Sequence, residues 1–100
     1  MSVSGTANDR GLVNDKSIVS LSGSNQVLLI SNPDRRYLLI QNTGGAVVGI
    51  NLAGGQAVIG GTGTITLLPS GSYEPDAGFI PTNPINVIGT EGQPVICFEA

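Results

Sequence analysis

The stretch NPDRRYLLIQN, residues 32–42, sets two adjacent arginines directly in front of an apolar run. It reads as a turn that delivers a strand. Pro33 has no N–H to give to a ladder, and the side chains of Asn32 and Asp34 suit hydrogen bonds to their own turn, so NPD belongs outside the strand. Strict alternation from Arg36 puts Leu38 and Ile40 on its side of that strand, with Tyr37 and Leu39 on the side of Arg35. The two arginines therefore cannot form one fork. Two roles stay open for them: stems laid over apolar neighbours at a sheet margin with the heads in water, or a guanidinium paired with a carboxylate of another subunit, a planar contact for which Arg is favoured over Lys.

The same punctuation recurs on both sides of this stretch. SIVSL (17–21), QVLLI (26–30), RYLLIQ (36–41), AVVGINL (46–52), GTITLL (63–68), GFI (78–80), INVIG (85–89) and PVICFE (94–99) have strand length and are rich in β-branched residues. Between them lie GSN, NTGG, AGG, GGTG, PSGS and PTNP, which supply turn backbone through Gly, Asn and Pro. GTITL alternates, with Ile65 and Leu67 on one face and Thr64 and Thr66 on the other. VLLI and YLLI do not, so these strands are expected to be apolar on both faces and to need a cover on the second. The expected fold is all-β: a single antiparallel β-sandwich, jelly-roll or Ig-like, of about eight short strands over residues 17–100, preceded by a flexible N-terminal arm over residues 1–16.

Composition narrows the function. Charged residues are 11% of the 100-residue chain, against about 25% in average proteins. Lys and Arg together number 4 and the formal net charge is -3, so the basic footprint that nucleic acid requires is missing. No apolar run reaches the ~18 residues of a membrane span, and the N-terminus does not read as a secretory signal. The expectation is a chain made in the cytoplasm. There is no His, which removes Ser-His-Asp and Cys-His catalysis and every imidazole metal site. Cys97 is the single cysteine and reads as a buried small hydrophobe. GGTG at 60–63 lacks the Lys-Ser/Thr ending of a phosphate loop and reads as a turn. Glu74 and Asp76 flank Pro75 as turn residues rather than as a catalytic pair. Neither an enzyme, a cofactor nor a metal site is expected.

NPDRRYLLIQNTG, LLPSGSYEPDAGFIPTNPINVIGTEGQPV and the Gly-rich centre between them resemble small β-sandwich proteins encoded among the structural genes of tailed bacteriophages. In those, NP-x-R-x-YLLIQN, a G-x-I-x-L-x-P-G-G-S-Y turn and an INVIG-type strand recur. The resemblance covers roughly residues 27 to 95, and Ser70 stands where the turn pattern has a glycine. It implies a non-enzymatic virion component: a capsid decoration or cement protein, or the base of a head or tail fibre. The expected partners are further copies of the chain, with a trimer favoured, and the major capsid protein or another virion protein. Arg35, Arg36, Tyr37, Tyr73 and Phe79 are the candidate interface residues. The competing expectation is a carbohydrate- or receptor-binding module of a phage fibre or tail, with Phe79 presented by PDAGFIPTNP.

Overall fold

A computed structural model describes residues 12–100; residues 1–11 of the expected arm lie outside the described residues. Among the described residues eight strands form: β1 (Asn14–Asp15), β2 (Gln26–Leu29), β3 (Leu38–Asn42), β4 (Val48–Asn51), β5 (Thr64–Leu67), β6 (Ser72–Tyr73), β7 (Ile85–Gly89) and β8 (Val95–Glu99). They make two four-stranded sheets, ordered β1-β8-β3-β6 and β2-β7-β4-β5. Every pairing is antiparallel. The pairs β1–β8, β2–β7, β3–β6 and β4–β5 describe one long two-stranded ribbon, folded at the β4–β5 connection and rolled into two layers. That is the jelly-roll order, one of the two sandwich topologies expected.

The core between the layers is aliphatic. Leu38 and Ile40 of β3, Val95 and Cys97 of β8, Val48 and Ile50 of β4, and Ile85 and Val87 of β7 are almost wholly inaccessible to solvent. Leu21, Leu28, Leu29 and Leu67 complete it. Truncating any of the large ones to Ala would cost about 2–5 kcal/mol, because a sandwich this thin has little slack with which to refill a hole.

Two irregularities decide which residues face inward. The Asn32 side chain accepts the Asp34 N–H (3.0 Å) and its carbonyl accepts the Arg35 N–H (3.1 Å), closing the NPD turn. The N–H groups of Arg36 and Tyr37 then both donate to the carbonyl of Ala100, at 2.6 and 3.0 Å. Two residues opposite one make a bulge, which advances the alternation by one. Arg35 consequently turns into the sandwich with Leu38 and Ile40, and the expected sidedness is corrected. In β2 the register slips between Val27, opposite Asn86, and Leu29, opposite Ile85. Leu28 and Leu29 are both buried as a result, while Val27 and Ile30 are 55% and 75% exposed. The failure of VLLI to alternate thus records a bulge, not two covered faces.

Two expected strands take other forms. SIVSL contributes a single bridge from Ile18 to Val95, and Leu21 follows β8 by donating to the Gln93 carbonyl (2.8 Å). GFI belongs to a 3₁₀ turn, Ala77–Phe79, closed by Phe79 N–H on the Asp76 carbonyl (2.9 Å). β1 and β6 are two-residue strands in segments whose sequence reads as arm and turn.

Candidate functional site

Polar side chains gather at the ends of β3. At its start, the Arg35 side chain is 3% exposed as a residue. Its Nε donates to Glu99 Oε1 at 2.8 Å, Nη1 donates to the carbonyls of Pro81 (2.6 Å) and Asn83 (3.1 Å), and Nη2 donates to that of Ile30 (2.8 Å). Glu99 belongs to one sheet, while Ile30, Pro81 and Asn83 flank β2 and β7 of the other. Arg35 therefore pins the two layers together inside one chain, and its expected role at a subunit interface is withdrawn. At the far end, the Asn42 amide donates to the carbonyls of Ala46 (2.7 Å) and Leu67 (2.9 Å), and its oxygen accepts from Gln93 Nε2 (2.9 Å) and Gly44 N–H (3.0 Å). Buried polar groups of this kind are tolerated because each finds partners.

The outer face of the sheet β2-β7-β4-β5 is covered by the β4–β5 connection, residues 52–63. Asn51 donates to the Gln56 carbonyl (3.0 Å) and accepts the Ala53 N–H (2.8 Å). Asn86 donates to the Gly55 carbonyl (2.6 Å), and Asn25 accepts the Ala57 N–H (2.6 Å). Ala57 is buried under this loop. The GGTG motif is part of that cover.

The outer face of the sheet β1-β8-β3-β6 has no such cover among the described residues. Leu38, Ile40, Val95, Cys97 and Glu99 point inward, so Leu39, Ile96 and Phe98 point out, each half-buried. Cross-strand register sets Asp15, Phe98 and Leu39 in one row and Ile96 with Gln41 in another. Beyond the first row, Val13, Ala100 and Tyr37 close an open cleft of about 590 Å³ whose lining also includes Asp15 and Phe98. The Ser17 hydroxyl and N–H donate to Asp15 and hold its carboxyl below the ordinary value; the N–H contact is 2.9 Å. The Ser17 oxygen in turn accepts the Cys97 N–H (3.0 Å), which ties β1 to β8. Partial desolvation and a hydrogen bond to Glu74 push the Tyr37 hydroxyl upward. Burial, with the Glu99 charge beside it, pushes the Cys97 thiol up to about 12.

Of the candidate interface residues, Arg36 is exposed and Tyr37 lines the cleft one position on, so these two come together. Tyr73 sits opposite Ile40 and packs against the core instead. Phe79 is 81% exposed on the 3₁₀ turn and lines neither this cleft nor a second one of about 450 Å³ along β2. Sequence reasoning missed Asp15, because it falls in the presumed arm. It also missed the outward pair Ile96 and Phe98, although PVICFE is apolar at both parities and carried the signal. Among the described residues, no group of three or more His, Cys, Asp or Glu is gathered for a metal, and no helix is long and apolar enough to cross a membrane.

The chain is thus a jelly-roll sandwich with one outer face clad by its own loop and the other left apolar. No protein-family model matches the sequence and no curated protein matches it. Among solved structures it is similar to a chain from one described as "Bacillus endospore appendages form a novel family of disulfide-linked pili", with 14% identity, 88% of this chain and 83% of that chain covered, and a TM-score of 0.49.

Proposed function

We propose that this protein is a non-enzymatic structural subunit of a virion, a capsid decoration or cement protein that associates with copies of itself and lies on the head lattice. The observation that carries this reading is the apolar outer row of Leu39, Ile96 and Phe98, half-buried and with no loop hydrogen-bonded across it as residues 52–63 are across the opposite face, in a chain with very few charges. Interface centres are depleted in charge and enriched in aromatic residues, and exposed apolar patches on soluble chains mark places where something docks. The resemblance of its turn and strand patterns to those of phage structural proteins supports the virion part of the reading. Sedimentation of the wild type and of Leu39→Asp tests the association: the wild type forms oligomers and the variant is monomeric with an unchanged fold. A wild type that stays monomeric would end this reading. Electron microscopy of virions with and without the subunit tests the location.

Phe79 favours a second reading as a carbohydrate- or receptor-binding module, since a ring so exposed on a 3₁₀ turn is a stacking surface, and jelly rolls also build lectins. A glycan array separates it from the first: binding lost in Phe79→Ala supports it, and an array without hits discards it.

A further inference from the structure

We propose that the cleft at the end of the bare face is a self-complementary contact, in which a second copy of this chain lays its Arg36 guanidinium over Phe98 and Tyr37 and against the Asp15 carboxylate. This rests on the reading that copies associate through that face, and it names the groups that set how they do so.

Cations are scarce in this chain, four in all. With Arg35 spent on Glu99 inside the sandwich, Arg36 and Lys16 are the described cations that have no ion-pair partner among the described residues. Arg36 is anchored at the cleft, because the bulge holds its N–H, like that of Tyr37, on the carbonyl of Ala100, and both Tyr37 and Ala100 line the cleft. The cleft is chemically a guanidinium site: two aromatic rings, an apolar wall from Val13, and Asp15 on the rim. Glu74, whose charge reaches the Tyr37 hydroxyl, adds negative potential near it. A planar guanidinium stacks on rings and pairs with carboxylates in a way that a Lys ammonium does not.

The occupant is a second copy because one patch carries both halves of the pair. Arg36 adjoins Tyr37 of the cleft lining while Asp15 is part of that lining, and no ion pair joins Arg36 to Asp15 within the chain, whereas a two-fold rotation brings each Arg36 to the facing cleft. Contacts of this kind are isologous: residue i meets j and j meets i. The rotation also closes Leu39 and Phe98 of the two copies against each other and removes the apolar row from water. The primary contact is then a dimer, where the sequence favoured a trimer.

The experiment is sedimentation velocity on the full chain at low and high salt, with circular dichroism as a control for folding. The variants are Arg36→Glu, Asp15→Arg, the swapped pair Arg36→Asp with Asp15→Arg, and Leu39→Asp. Each single reversal is expected to raise the dissociation constant about tenfold or more, the swapped pair to recover most of the loss, and high salt to weaken the wild type. If both single reversals associate like the wild type while Leu39→Asp is monomeric, the charge pairing is wrong and the bare-face reading survives. If Leu39→Asp associates normally, or the wild type is monomeric, both fall together.

Discussion

The two outer faces of the sandwich were given the same problem and solve it differently. Above β2-β7-β4-β5, the strand residues facing outward include Asn51, Asn86, Gly49 and Thr64, small or hydrogen-bonding groups that seat the 52–63 loop, beside Thr66, Ile88 and, at the edge, Val27. Above β1-β8-β3-β6, they are Leu39, Ile96 and Phe98, with Gln41 beside Ile96. A polar outer face captures main-chain amides and carbonyls, so a loop of the same chain can clad it. An apolar one offers such a loop no hydrogen bonds, and is suited instead to another flat apolar surface.

The contrast presupposes that the two layers act as one body, and Arg35 is where that can be broken hardest. Replacing it with Met leaves Glu99 as an unpaired buried charge and strips partners from three carbonyls. The expected loss is about 3–5 kcal/mol, comparable with the whole stability of a marginal domain. Chemical denaturation measures it. The double variant Arg35→Met/Glu99→Leu sharpens the result: recovery should be partial, because the carbonyls of Ile30, Pro81 and Asn83 remain unpaired. Full recovery would assign the whole cost to the ion pair, and an unchanged Arg35→Met midpoint would mean that the layers are held without this pin.

A smaller effect separates the clad face from the bare one. A methyl group on Gly49 would meet the Thr64 methyl at 2.8 Å and Ile59 Cδ1 at 2.9 Å. Gly49→Ala should therefore push the 52–63 loop off its sheet at a cost of about 1–3 kcal/mol, as overpacking does. Hydrogen exchange is the direct readout: amides of Ala53 and Ala57, held by Asn51 and Asn25, should lose protection while those of β3 and β8 keep it. If protection drops equally in both sheets, the loop is not an independent cover and the distinction between the faces weakens.

Strand periodicity made the two-layer fold legible, because turn residues and β-branched runs are local signals. The side on which each residue fell was legible only where the strands were regular. PVICFE is a regular strand, so its sides follow from alternation alone, with Val95, Cys97 and Glu99 inward and Ile96 and Phe98 outward, although apolar residues at both parities left the choice of side open. NPDRRYLLIQN breaks that alternation, since a bulge is specified by which residue it opposes, here Ala100, more than sixty positions away. The same bulge hid the fate of Arg35 and brought Arg36 to the cleft. β1 and β6 were invisible for a related reason: two residues carry no period, and their pairing depends on neighbours already in place. Tyr73 looked like surface within SGSY, yet its register with Ile40 turns it toward the core.

The smallest effect lies at the margin of the bare layer, in the turn that feeds β6. Leu68 accepts the Gly71 N–H at 2.7 Å, with Pro69 and Ser70 between them. Ser70 has φ of 70°, the one non-glycine in the left-handed region among the described residues. A turn with Pro at its second position and positive φ at its third is type II, which asks for Gly at that third place. Relief of left-handed strain is worth about 1–2 kcal/mol. The extra freedom that Gly gives the unfolded chain takes back about 0.4–1 kcal/mol. Ser70→Gly should thus stabilise by somewhat under ~1 kcal/mol, a rise of roughly 4 °C in melting temperature for a domain of this size. Gly71→Ala, whose methyl would meet the Leu68 carbonyl oxygen at 2.9 Å, should move it the other way. Because the side chain of Gln41, on the outer face, donates to the Ser70 carbonyl at 3.4 Å, a Ser70→Gly variant that melts higher but associates less would mean that this turn also shapes the bare face. Equal association with a higher melting temperature would confine Ser70 to the strain of its own turn.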